Sequence, residues 1–156
     1  MHITRFTDYT LRVLIQVAAQ SPQPCTIAEV ATHYNISRNH LMKVVQALSQ
    51  RGYLAAQRGK NGGLQLPRPA AEINLGQLIR DCEQERPLVE CFGSDNQCVI
   101  TSACRLKSLL AEAQEAFFSV LDRYTLADLV GTVHRQALIE LLQLPHHPDE
   151  HSLDYS

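Results

Sequence analysis

Residues 26–66 read "TIAEVATHYNISRNHLMKVVQALSQRGYLAAQRGKNGGLQL" and predict two helices joined by a tight turn, with a hairpin after them. Thr26 begins the first helix, and Glu29 three residues later completes a capping-box pattern. Ser37 caps the second helix, and Gly52 ends it. This second helix has an apolar stripe at helical spacing, formed by Leu41, Val44, Val45 and Leu48. Two short helices around a tight turn are typical of a helix-turn-helix.

A hairpin is predicted directly after the second helix. Short strands near 54–58 and 64–67 flank "GKNGG", and a glycine-rich turn between two such segments is a strong hairpin signal. A hairpin that follows a helix-turn-helix is a wing. The alternative is a small helical bundle with an incidental hairpin.

Charge divides the chain into two unlike halves. Residues 1–70 carry eight Lys or Arg and two Asp or Glu, a net +6, whereas residues 71–156 carry six and fourteen, a net −8. A basic half is typical of a nucleic-acid binder, and Arg and Asn make bidentate contacts with guanine and adenine. The candidate DNA-contacting residues are Ser37, Arg38, Asn39, His40 and Lys43 on the second helix, and Arg58, Lys60 and Asn61 on the wing.

Further helices are predicted at 74–84, 103–124 and 133–144, with a short capped helix in "TLADLVG". The helix at 103–124 has a heptad seam formed by Leu106, Leu110, Ala113, Phe117, Val120 and Tyr124. On a small protein, such a seam favours a dimer contact over a monomer core. We therefore predict a mainly α fold, a winged helix-turn-helix with a small two-stranded wing and a long dimerisation helix.

Three regions follow from these elements. Residues 1–70 form the DNA-binding domain, and residues 71–131 form a cysteine-containing loop with the dimerisation helix. Residues 132–156 form a C-terminal helix and a tail, "PHHPDEHSLDYS", that is expected to be disordered.

The cysteine loop reads "CFGSDNQCVITSAC" and places Cys91, Cys98 and Cys104 in a C-x6-C-x5-C pattern. Zinc knuckles have closer spacing, so these gaps favour a loop around a larger object, such as an iron–sulfur cluster held by thiolates. A zinc or thiol staple without a cluster, and incidental cysteines, are the alternatives. Cys25 and Cys82 lie outside the trio and are interpreted as ordinary small residues.

Other functional classes find no support in the sequence. There is no nucleophile–base arrangement, no paired-carboxylate pattern and no phosphate-binding glycine loop, so no enzyme is expected. The N-terminus lacks the apolar segment of a signal peptide, and no apolar run is long enough to span a membrane. These features predict a cytoplasmic protein whose thiols stay reduced.

Several segments together resemble the Rrf-type family of iron–sulfur regulators, over about residues 1–130. They are "FTDYTLRVL", "SRNHLMKVVQALSQRGYL", "RGKNGGLQL", the cysteine loop and "ACRLKSLLAEA". The resemblance implies a homodimeric repressor that binds operator DNA and holds a cluster at the positions of Cys91, Cys98 and Cys104. The nitric-oxide-sensing branch of the family is the most similar.

The resemblance also suggests the fourth ligand. The cluster-assembly branch has a histidine three residues after the last cysteine, where this chain has Lys107. The nitric-oxide-sensing branch uses an aspartate from the first helix of the partner subunit, at the position of Asp8, and Arg12 would orient that carboxylate. The alternative is that Asp8 only pairs with Arg12 one helical turn away or stabilises the N-terminus of its helix.

A 4Fe–4S cluster is favoured over 2Fe–2S. The implied signal is nitric oxide, which would displace ligands from the iron and release the DNA. A same-fold regulator that senses iron supply, oxygen or redox state through the cluster is the competing interpretation.

Overall fold

The computed structural model describes residues 2–83 and 87–144, and these residues form seven α-helices and one hairpin. The helices are α1 (Arg5–Gln20), α2 (Ile27–Tyr34), α3 (Arg38–Gln50), α4 (Leu75–Glu83), α5 (Arg105–Leu121), α6 (Leu126–Leu129) and α7 (Thr132–Leu142). The strands are β1 (Ala55–Gln57) and β2 (Gly63–Gln65), and 3₁₀ turns span Ala70–Glu72, Glu90–Phe92 and Thr101–Ala103. The predicted disorder of the tail concerns residues 145–156, which lie outside the described residues.

Local capping explains where the helix-turn-helix begins and turns. Thr26 and Glu29 form the predicted capping box, in which the Thr26 hydroxyl accepts from the Glu29 amide at 3.2 Å. Asn35 ends α2 in the left-handed conformation, at φ 52°, which Asn tolerates better than most residues. Ser37 then caps α3, because its hydroxyl accepts from the His40 amide at 3.3 Å. The predicted helices and their turn are confirmed.

The wing is an antiparallel hairpin shorter than the sequence predicts. Ala56 pairs with Leu64, and Leu64 turns its buried side chain towards the core. The tip needs glycine at 62, because a Cβ there would lie 2.2 Å from the Gln57 carbonyl oxygen. Cys25 adds backbone hydrogen bonds to the outer edge of β2, with its amide 3.0 Å from the Leu64 oxygen.

The core lies around α1. Its fully buried Leu14 meets Leu41 and Leu48 of α3, Leu78 of α4 and Leu126 of α6 in one cluster. The same cluster therefore extends past residue 70, from the winged helix into the segment before the cysteine loop. The division at 1–70, 71–131 and 132–156 stays a prediction. Within the described residues, no helix is long and apolar enough to cross a membrane.

A bidentate ion pair fastens α4 to the end of α5. Arg80 Nη1 lies 2.5 Å from Asp122 Oδ1, and Arg80 Nη2 lies 2.9 Å from Oδ2. These hydrogen bonds hold the pKa of the Asp122 carboxyl below its ordinary value. The Arg80 guanidinium also lies 4.4 Å from the centroid of the Phe118 ring, and Asn74 Nδ2 donates to the Asp122 carbonyl at 2.7 Å.

Gly76 permits this close approach, which gives a test of the α4–α5 packing. A Cβ at 76 would lie 1.9 Å from Asp122 Oδ1, so Gly76→Ala must displace Asp122 from Arg80. We expect a net loss of about 1 kcal/mol in the free energy of unfolding by urea, since the overpacking cost of about 1–3 kcal/mol exceeds the helix-propensity gain of alanine.

The control for this test is the same change in an Asp122→Ala background. There the side chain that would clash is gone, so Gly76→Ala should cost less. An equal cost in both backgrounds would contradict this account of Gly76.

Candidate DNA-reading face and cysteine loop

The first turns of α3 present the predicted recognition residues to solvent. Arg38, Asn39, His40 and Lys43 are all exposed, while the apolar stripe on the opposite side of α3 is buried. Ser37 is exposed too, and its hydroxyl is used as the helix cap. The amphipathic pattern thus leaves a polar, cationic surface where a helix-turn-helix contacts base edges.

The tip of the wing is a second exposed cationic surface. Arg58, Lys60 and Asn61 lie in its turn and are exposed. Gly59, at φ 116°, takes a backbone conformation that favours glycine. The tip therefore presents two cations and an amide with little side-chain bulk between them, which suits contact with phosphates.

The N-terminal part of α1 carries the candidate carboxylate ligand. Asp8 and Arg12 pair one helical turn apart, with Arg12 Nη2 2.9 Å from Asp8 Oδ2 and Arg12 Nε 3.1 Å from Oδ1. Both side chains are nearly half exposed, at 44% and 42%. Tyr9, the next residue, approaches His40 of α3 with ring centroids 6.3 Å apart. The carboxylate is therefore accessible and lies beside a contact that reaches the recognition helix.

The cysteine loop is held by its own hydrogen bonds. The Cys98 amide donates to Asn96 Oδ1 at 3.0 Å, the Asn96 amide group donates to Thr101 Oγ1 at 2.9 Å, and the Thr101 hydroxyl donates to the Cys98 carbonyl at 2.7 Å. Cys98 is exposed, whereas Cys91 and Cys104 are half-buried. Cys104 is the N-cap of α5.

The other two cysteines have different surroundings. Cys25 is completely buried, and desolvation raises the pKa of its thiol to about 12. Gln16 contacts its sulfur at 3.4 Å. Burial also raises the pKa of the Cys82 thiol, which lies on α4. A thiol that stays protonated is a poor metal ligand, so these surroundings agree with leaving both residues outside the candidate ligand set.

The donor chemistry of the loop fits an iron–sulfur cluster. All five cysteines are free thiols, and the three in the loop are at least partly accessible. Thiolates are the usual protein ligands of such clusters. Among the described residues of a single chain, no three Cys, His, Asp or Glu side chains come together as a metal site. The ligand set thus stays a prediction from the sequence.

Sequence reasoning missed the polar contacts of the last turn of α4. Glu83 accepts hydrogen bonds from Thr4, the N-cap of α1, and from Thr7 in α1, and Tyr53 donates to Asp81. Thr4 and Glu83 are 79 residues apart along the chain. No spacing or periodicity in a single sequence signals a contact over that distance.

An exposed cationic recognition helix followed by an exposed wing defines a DNA-binding protein of the winged-helix class. Comparison with known proteins narrows the class of protein further. The family model Rrf2, described as an iron-dependent transcriptional regulator, matches residues 3–132. The chain belongs to the Rrf2 family.

Individual relatives agree with this assignment. The chain is 44% identical over 146 residues to the HTH-type transcriptional regulator NsrR of Bacillus subtilis, which covers 92% of this chain and 99% of that protein. Among solved structures, oxidised Staphylococcus aureus CymR is 29% identical and superposes with a TM-score of 0.65, covering 84% of this chain and 97% of that one. T. potens IscR has a TM-score of 0.67 at 20% identity, covers 94% of each chain, and supports the fold alone.

Proposed function

We propose that this chain is a homodimeric transcriptional repressor that binds operator DNA through α3 and the wing and releases it when nitric oxide reacts with a bound iron–sulfur cluster. One observation carries the proposal. A single chain combines an exposed winged-helix surface with three accessible free thiols in one loop, and it is 44% identical to NsrR over nearly the whole length of that relative.

The proposed ligands are Cys91, Cys98 and Cys104, with Asp8 from the partner subunit as the fourth. When bound, the cluster supplies iron that reacts with nitric oxide. A 4Fe–4S cluster is favoured over 2Fe–2S, because Lys107 stands where the cluster-assembly branch has a histidine and a charged lysine cannot ligate iron. Arg12 already contacts the Asp8 carboxylate at 2.9 Å, so it would orient that carboxylate towards the partner.

Helix α5 is the proposed dimer contact. Of its described side chains, none is buried within the single chain. Along its length, large apolar side chains stay exposed, namely Leu106 at 59%, Leu109 at 49% and Val120 at 48%. An apolar helix face with no cover in the monomer favours association, and the heptad spacing favours a second copy of the same helix.

Two other functions remain as candidates. The family description "iron-dependent" favours a regulator of the same fold that responds to iron supply, oxygen or redox state. A zinc ion that only staples the loop would also use accessible thiols. The first alternative shares the cluster and differs in the signal, whereas the second has no cluster.

Anaerobic purification with iron and sulfide counts, followed by operator binding with and without nitric oxide, tests the proposal. We expect a brown protein whose operator affinity falls when nitric oxide is added. Cys98→Ala should abolish stable cluster binding, and Cys82→Ala should retain it. A colourless protein with one zinc per chain would overturn the cluster, and a nitric-oxide-insensitive brown protein would favour the alternative signal.

The DNA-reading surface is tested by Arg38→Ala and Lys60→Ala. Loss of a bidentate base contact at Arg38 should cost about 1–3 kcal/mol and relax sequence preference. Loss of a phosphate contact at Lys60 should weaken all duplexes equally and reduce the salt dependence of binding. The measurement is gel shift against specific and random duplexes over a range of salt concentrations.

Arg123→Ala is the charge-matched control, because Arg123 is exposed just beyond α5, outside the proposed DNA surface. It should leave both the affinity and the salt slope unchanged. Unchanged binding by both Arg38→Ala and Lys60→Ala would contradict the assigned surface.

Asp8→Ala tests the fourth ligand. The variant should assemble a cluster on the three cysteines and still dimerise, because the exposed face of α5 does not include Asp8. Its absorption and paramagnetic spectra should change, and the cluster-loaded dimer should bind operator poorly, since the tie between subunits is lost. Asp8→Cys should restore a complete ligand set with a different spectrum.

Asp95→Ala is the matched comparison, since Asp95 is a carboxylate in the cysteine loop itself. If Asp95→Ala changes the spectra of the loaded protein and Asp8→Ala leaves them unchanged, the fourth ligand is not Asp8.

A further inference from the structure

The last turn of α4 contacts three other parts of the fold through three closely spaced polar side chains. Arg80 makes the bidentate pair with Asp122 at the end of α5. Asp81 accepts from the buried Tyr53 hydroxyl at 2.5 Å, at the base of the wing. This turn is thus fixed to the proposed dimer helix on one side and to the wing on the other.

Glu83 supplies the third connection, to the start of α1. One carboxylate oxygen, Oε1, accepts from the Thr4 amide at 2.9 Å, from the Thr4 hydroxyl at 2.8 Å and from the Thr7 hydroxyl. Thr4 is the N-cap of α1, and its hydroxyl accepts from the Thr7 amide at 3.2 Å. A carboxylate at a helix N-terminus is favoured by the helix dipole, and hydrogen bonds to an ionised acceptor are about twice as strong as neutral ones.

Asp8 lies in the first turn of α1, the same turn that Glu83 contacts through Thr4 and Thr7. The Asp8 amide donates to the Thr4 carbonyl at 3.0 Å, so the backbone of Asp8 depends on the placement of Thr4. Thr7, directly before Asp8, is completely buried. Movement of Glu83 would therefore shift the first turn of α1 and the carboxylate on it.

We propose that Glu83 is a positioning residue that fixes the N-terminal turn of α1, and with it Asp8, relative to the end of α4. The inference rests on the proposed function, since it gives Asp8 its role as a ligand. Through Thr4, Thr7 and Glu83, a displacement of Asp8 would move the end of α4. That movement would reach the wing through Asp81 and helix α5 through Arg80.

Glu83→Ala and Glu83→Gln test this role. Glutamine keeps an acceptor oxygen and the shape of the side chain but loses the charge, so its effect should lie between those of wild type and alanine. Glu72→Gln is the matched control, because Glu72 is exposed in the 3₁₀ turn before α4. All variants are made in the full chain and compared with Asp8→Ala.

Three measurements separate positioning from mere stability. Amide hydrogen exchange at Thr7 and Asp8 in the cluster-free protein should speed up by about 10-fold or more in Glu83→Ala, because the lost hydrogen bonds to a charged acceptor no longer oppose local opening of this turn. The spectrum of the loaded protein should shift towards that of Asp8→Ala. The ratio of operator affinities between loaded and cluster-free protein should fall towards one, while Glu72→Gln leaves all three readouts unchanged.

The outcomes distinguish this inference from the proposed function. If loading does not change operator affinity in the wild type, the proposed function fails and the hydrogen-exchange result alone decides the role of Glu83. If the wild-type ratio is large and Glu83→Ala keeps it, together with wild-type exchange and spectrum, the inference is overturned. Should Glu83→Ala not fold, Thr7→Val removes one donor of the same network, and wild-type values in both Thr7→Val and Glu83→Gln would overturn it equally.

Discussion

The burial of one face of α1 is the constraint on which the rest of the structure depends. Val13, Leu14 and Val17 are at most 1% exposed, and they belong to one core cluster with side chains of the later helices α2, α3, α4 and α6. Burying a large apolar side chain contributes about 1.5–3 kcal/mol, so this face cannot leave the core without unfolding the winged helix. The side of α1 that faces solvent includes Asp8 and Arg12, whose side chains are nearly half exposed. Because the centre of α1 is fixed in the core while Asp8 is accessible, a change at Asp8 can be transmitted to the elements that pack against this helix.

Local rules made much of the fold predictable. The caps at Thr26 and Ser37, the left-handed turn at Asn35 and the glycines of the wing act within a few residues of themselves, and the sequence patterns for such features are direct. The apolar stripe of α3 likewise identified side chains that are now seen to be buried. The wing strands were overestimated in length, because β pairing depends on a partner that the sequence of one strand does not specify.

The candidate site was only partly predictable. The exposed recognition residues and the free loop cysteines follow from residue type and spacing, whereas the Asp8 assignment depended on resemblance. The contacts of Arg80, Asp81 and Glu83 were not anticipated, since each joins elements at least 28 residues apart. Their side chains are ordinary helix-surface residues in the sequence. Their contacts with other elements arise only from tertiary packing, and a single sequence does not indicate which helix-surface residue will face which element.

The charge asymmetry and the exposed face of α5 have one physical explanation. The basic half carries the exposed recognition helix and wing tip, while the acidic half carries α5 with its uncovered leucines. Acidic groups repel the phosphate backbone, so in the proposed complex they would favour an orientation with α3 towards DNA and α5 away from it. A second copy bound through α5 would then present two recognition helices to the same side, as a dimeric winged helix needs in order to read two half-sites. The spacing between those helices would be set by α5, and α5 is fastened to α4 through Arg80 and Asp122. In the proposed dimer, the spacing of the two recognition helices and the position of the first turn of α1 would therefore both depend on the same short segment of α4.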